Sequence, residues 1–411
     1  MSTVSGNHSI TGSVLQVDAV TDGMGVFIRR SAVGNGNITT ETITLALQTA
    51  ANAADNFQVF GIEMVYVPQG NFIIGDGSST YTFNGTTITA AIQASGIGAA
   101  NAYQASSYGS AGSLPGTYPH GYDGFYCMKY EISQEQYASF LNSLSFTQQA
   151  TRTNSSPASA VGTYPMQTAP PNNARNGIRI KTTGAAMITP AVYGCDLNAN
   201  GTFDEAADGN NLACNWLSWA DLMAYLDWSG LRPMTEFEYE KACRGPAPVV
   251  AGEYAWGITT ILQAQSTALT NSGQGSEVST AAGNGLCAYG AANQTTFGPL
   301  RCGFAAGAAT TRYQAGATYY GIMEMTGNVA EQCIGGYNGY NYTTFTTVNG
   351  DGTLSGTGAG NTAGWPTTGG GNGGGGVARG GHFATVAPAE LRLRNRKWMN
   401  HNFKRTRRVA V

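Results

Sequence analysis

The chain has 411 residues, of which 42% are hydrophobic and only 11% charged, and its formal net charge is −3. That hydrophobic share excludes a disordered chain. No run approaches 18 apolar residues, which excludes a membrane-spanning helix, and the 57 glycines keep no three-residue period, which excludes collagen. A globular, loop-rich, β-leaning chain is left, with a surface that Thr, Ser, Asn and Gly must cover in place of charge.

Residues 1–60 read as an N-terminal β segment. Short apolar runs stand at 14–17 and 25–28, and 39–47 alternates apolar with polar. Residues 57–74 (FQVFGIEMVYVPQGNFII) read as strand, Pro-Gln-Gly turn and strand, a first hairpin. From 75 to 120 Gly, Ser, Thr and Ala dominate, as in a long insertion. Three helices follow, each with a start signal. Over 131–144 Ser133 is answered by Gln136, with Tyr137, Phe140, Leu141 and Leu144 on one face. Over 218–228 Ser218 is answered by Asp221, with Gly230 as the stop. Over 235–244 Thr235 is answered by Glu238, with Gly245 just past the end. Glu236, Glu238 and Glu240 are expected to be helix-start charges and solvated groups. Beyond 250 the pattern returns to strands and glycine loops, including GGGNGGGG at 369–376.

Eight Lys or Arg and no acid lie from Arg392 to the end. Leu, Trp, Phe and Val interleave with them, which points to use within the fold and away from nucleic acid. The seven cysteines (Cys127, Cys195, Cys214, Cys243, Cys287, Cys302, Cys333) form no close pair, and the four histidines lie far apart. Zinc, which needs clustered ligands, is not expected. Buried free thiols are the plain reading, with disulfides left open.

Four blocks, GIEMVYVPQGNFIIGDG (61–77), GFYCMKYEISQEQYASFLNSL (124–144), LRPMTEFEYEKACRG (231–245) and GIMEMTGNVAEQ (321–332), followed by ARGGHF (378–383), resemble the formylglycine-generating enzyme or sulfatase-modifying factor family. The resemblance implies an α+β, loop-rich, C-type-lectin-like fold over residues 61–411, with 1–60 outside it as a possible assembly strand or arm. Enzymes of that family oxidise a substrate cysteine with copper held by two cysteines five residues apart. Thr385 and Glu390 stand at those positions here, and neither offers the soft thiolate that Cu(I) takes. No catalytic residues are therefore assigned. The His-rich motif of iron-using relatives is absent as well.

Two segments are candidate calcium sites. Asp196, Asn198, Asn200, Thr202 and Asp204 reproduce the spacing of a calcium loop, with Gly201 at the sharp turn and Ala207 where a bidentate Glu would stand. The alternative there is an Asx-rich turn without metal. In Glu324-Met-Thr-Gly327-Asn-Val329-Ala-Glu331 the resemblance implies a structural calcium held by Glu324, Glu331 and the Gly327 and Val329 carbonyls. The alternative is a Glu331 that caps amides or meets an arginine.

These features lead to a non-catalytic structural or binding protein that self-associates as a homo-oligomer or filament, on a cell surface, an extracellular appendage or a virion. Two other readings stand beside it. One is a monomeric lectin-like adhesin for a surface glycan or protein, for which the Tyr-rich 335–345 offers contact area. The other is a formylglycine-generating-type oxidoreductase with a non-standard metal centre.

Overall fold

The computed structural model describes residues 1–53, 55–76, 83, 85–91, 118–166, 174–290, 297–335, 345–367, 375–394 and 397–398. Most of the glycine-rich insertion, most of GGGNGGGG, the Tyr-rich stretch and most of the basic end lie outside these residues.

The three expected helices form, and each capping box closes. In α1 (Gln134–Asn142) the Ser133 hydroxyl accepts from the Gln136 amide at 3.2 Å, and the Gln136 side chain accepts from the Ser133 amide at 2.9 Å. Such reciprocal caps satisfy amides that a helix start leaves unpaired. A helix not anticipated, α2 (Phe146–Arg152), starts on the same device, Ser145 with Gln148. α3 (Trp219–Trp228) and α4 (Glu236–Arg244) follow. α4 stops at Gly245, whose φ of 61° lies in the left-handed region that favours glycine.

The strands are short and form sheets of two or three members. Met64–Val67 and Phe72–Ile74 are the two strands expected at 57–74, but they do not pair with each other. Met64–Val67 pairs with Phe125–Met128, and Phe72–Ile74 with Thr86–Ile88, so the expected hairpin is replaced by two antiparallel pairs. Ile178–Thr182 pairs with Val192–Cys195 and supports α1. The closing sheet sets Gly376–Arg379 between Glu331–Ile334 and Lys397–Trp398, so at least this part of the basic end is used within the fold.

One core cluster joins these pieces. Between α1 and α3, Tyr137, Phe140, Tyr225 and Trp228 pack edge to face or tilted, with centroids 5.3 to 6.3 Å apart. Such rings add roughly 0.5–1.5 kcal/mol per pair beyond area burial.

α4 corrects the sequence reading of its glutamates. All nine of its residues are buried. Glu236 and Glu240, one turn apart, share the guanidinium of Arg379 at 2.9 and 2.7 Å, and Arg232 grips both oxygens of Glu238. None of the three is a solvated group. Their cations come from Arg232, in the turn before the helix, from Arg379, in a strand more than 130 residues on, and, for Glu240, also from Arg244 at 3.5 Å in the same helix.

The N-terminal segment folds back on its own chain. Leu15–Ala19 and Val26–Arg30 form an antiparallel pair, and of 39–47 only Ile43–Thr44 is strand, paired with Ser9–Ile10. Phe27 sits on Gly230, where an added Cβ would stand 2.9 Å from the ring, so the glycine that ends α3 also admits this contact. The Tyr126 hydroxyl meets the backbone of Gly34, and Phe60 packs on Trp228 at 5.2 Å. Among the described residues no helix is long and apolar enough to cross a membrane.

Candidate functional site

Thr385 and Glu390 lie where the sulfatase-modifying resemblance would place the copper thiolates. Thr385 is buried, and its hydroxyl accepts from the His382 amide at 3.1 Å. Glu390 lies in a single 3-10 turn, Pro388–Leu391. All seven cysteines are free. Burial pushes the thiols up, Cys127 to about 12, so they behave as small apolar groups and not as ready thiolates. These donors do not fit Cu(I), and no copper step is derived for this chain.

The 196–204 segment is a tight loop leaving the strand Val192–Cys195. The Asn200 amide donates to Asp196 and Asn198, at 3.1 and 2.9 Å, and the Thr202 amide donates to Asn200 Oδ1 at 2.7 Å. These are Asx turns, in which the side chain replaces a backbone acceptor. The carboxylates already face cations or amides. Asp196 lies 3.7 Å from Arg179, and Asp204 takes the Cys195 amide on one oxygen and Lys181 Nζ on the other, each at 2.8 Å. Just past the loop, Glu205 is held by Asn200, while Asp208 keeps one oxygen unpartnered among the described residues.

The 324–331 segment is built differently. Glu324, Gly327 and Asn328 have φ of 55°, 84° and 50°, so the backbone winds sharply within eight residues. A non-glycine residue held there costs about 1 kcal/mol, and such strain often marks a working site. Glu324 and Glu331 are 5% and 1% exposed. One oxygen of Glu324 accepts from the Gly303 amide at 3.0 Å, while its other oxygen and both oxygens of Glu331 have no hydrogen-bond partner among the described residues. The nearby Arg379 gives its two terminal nitrogens to Glu236, Glu240 and the Leu393 carbonyl; its Nε has no hydrogen-bond partner among the described residues, and its charge opposes the upward shift of Glu331 without an ion pair to it.

Glu131, which the sequence reading passed over, belongs to this site. It is buried just before α1, and its two oxygens take the Val329 amide at 2.8 Å and the Asn328 side-chain amide at 2.6 Å. It thereby fixes the middle of the segment. The only sequence signal was an acid directly ahead of a capping box. Burial, reinforced by the neighbouring carboxyls, raises Glu131 well above the usual carboxylate range; burial likewise raises Glu331 and pushes Glu324 up to about 8.

A buried carboxyl with no partner must hold a proton or meet a cation. Two hard carboxylates would suit calcium if main-chain carbonyls completed the shell. Among the described residues no three His, Cys, Asp or Glu side chains form a metal cluster on their own. A cation here would therefore need the carbonyls of Gly327 and Val329 as well as Glu324 and Glu331.

The sulfatase-modifying factor enzyme 1-like domain matches residues 50–408. No curated protein matches the sequence. Among solved structures, the chain is similar to Treponema denticola variable protein 1, with 11% identity and a TM-score of 0.36, over 82% of this chain and 89% of that one.

Proposed function

The chain belongs to the sulfatase-modifying factor enzyme 1-like domain family, and from that premise we propose that it is a non-catalytic member, a structural or binding protein that associates with copies of itself. The observation that carries the first half is the pair Thr385 and Glu390 in place of thiolates, with the seven free cysteines dispersed along the sequence. An oxygen-uptake assay with copper and a cysteine-bearing peptide tests it. No turnover above the metal blank is expected; copper-dependent oxidation of the peptide thiol by the protein would overturn it.

Calcium is the ion this reading assigns, first to Glu324, Glu331 and the carbonyls of Gly327 and Val329. The unpartnered, buried carboxylate oxygens support that choice. At 196–204 a cation would compete with Arg179 and Lys181, so that loop ranks second. When bound, the ion would neutralise two buried charges and lock the turn that leads into the closing sheet.

Self-association is supported by a surface poor in charge and by apolar side chains left exposed on residues 1–60. Seven unpaired thiols favour a chain that folds in a reducing cytoplasm. Of the locations open to it, a particle component assembled there suits the thiols best.

A further inference from the structure

Among the described residues, nine of the nineteen exposed large hydrophobic side chains lie in the first sixty positions. Six of them, Met24, Ile28, Val33, Phe57, Val59 and Phe60, line one groove of about 1760 Å³ between the N-terminal segment and the corner that carries Trp228 and Tyr126. Val59 is 96% exposed. Fully burying a side chain of this kind covers roughly 60–120 Å² of apolar surface, so at their exposures these six offer on the order of 300–400 Å². That matches a lone monomer's largest apolar patch and is about half of the roughly 800 Å² per partner of a standard interface.

Two further observations say what covers it. Residues 57–60 (Phe-Gln-Val-Phe) make no backbone hydrogen bond among the described residues, and they lie outside any strand. Among the described residues the strand Val26–Arg30, on the groove wall, pairs on one side only, with Leu15–Ala19. Each copy thus carries both an unpaired apolar run and a free strand edge beside an apolar hollow. The two arginines lining the groove are already neutralised, Arg29 by Asp18 and Arg232 by Glu238.

We propose that a second copy of this chain closes the groove, with residues 57–60 of each copy adding to the free edge of Val26–Arg30 in the other. Strand addition satisfies the bare amides and carbonyls of both segments, and exchange of the same patch closes a two-fold dimer. This deepens the self-association proposed above and rests on it.

The test is the native mass of the full chain by light scattering over a range of concentrations, for the wild type, Val59→Asp and Met187→Asp. Met187 is also exposed and does not line the groove. Far-UV circular dichroism checks that each variant folds. The wild type and Met187→Asp should associate alike, and Val59→Asp should raise the dissociation constant about tenfold or more, since its carboxylate would have to lose water in the partner's apolar hollow. Wild-type-like association of Val59→Asp would overturn the groove while leaving self-association intact. A wild type that stays monomeric at every concentration would overturn both.

Discussion

The segments 196–204 and 324–331 both gather oxygen ligands within about ten residues, yet their carboxylates stand in opposite states. In the first, Asp196 and Asp204 are met by Arg179, Lys181 and backbone amides. In the second, Glu324 and Glu331 are buried with three oxygens unpartnered among the described residues. Ligand spacing is the more regular in the first; unmet electrostatic demand lies in the second. A calcium loop read from spacing alone is therefore incomplete until the counter-charges are known. α4 gives the third case, in which carboxylates are as deeply buried as Glu331 but fully answered by arginine.

The largest way to break this comparison is to remove an answer. Arg379→Met leaves Glu236 and Glu240 buried without their shared cation, and should cost about 3–5 kcal/mol in urea unfolding. A loss under about 1 kcal/mol would mean that the α4 carboxylates do not depend on it.

Supplying the missing partner comes next. If calcium fills the 324–331 site, a concentration near 1,000 times its dissociation constant stabilises the fold by about 4 kcal/mol. Glu331→Gln should abolish most of that gain in a thermal scan, while in chelator it should be at least as stable as the wild type near pH 8, because a glutamine need not take up a proton to be buried.

The same site sets a pH signature. Glu324 is raised from its ordinary 4.5 to about 8, and Glu131 and Glu331 are raised in the same direction. Between these values the folded, calcium-free chain holds protons that the unfolded chain has lost. Its stability should be fullest below about pH 4.5 for these groups and fall as pH rises toward 8. Calcium binding should release protons and tighten over the same range. A calcium-free melting temperature that climbs across it would contradict the raised values.

The smallest effect belongs to the first segment. Lys181 and Asp204 are 43% and 38% exposed, and such pairs contribute about 0–1 kcal/mol. Lys181→Ala should shift stability by no more than that and leave the calcium response unchanged.

Local chemistry was legible in the sequence where the partners are near in chain. Ser133 with Gln136, Ser218 with Asp221 and Thr235 with Glu238 marked three helix starts that the structure keeps. α2 used the same signal at Ser145 and Gln148 and was still missed, because FTQQATR carries no apolar stripe to call attention to it. Long-range pairing was not legible. Met64–Val67 and Phe72–Ile74 looked like a hairpin because they are adjacent, whereas the partner of the first lies some sixty residues on. The fate of Glu236 and Glu240 depended on Arg379, and the importance of Glu131 on Asn328 and Val329, at separations of 139 to 198 residues. The family resemblance placed Glu324 and Glu331 together; only the packed structure showed that three of their four oxygens lack partners among the described residues.

The most direct test is a thermal scan of chelator-treated protein before and after adding calcium, run on the wild type, Glu331→Gln and Asp204→Asn. Calcium should raise the melting temperature of the wild type and of Asp204→Asn by similar amounts, and that of Glu331→Gln little or not at all. A wild type that does not respond, or a response lost in Asp204→Asn and kept in Glu331→Gln, would contradict the account.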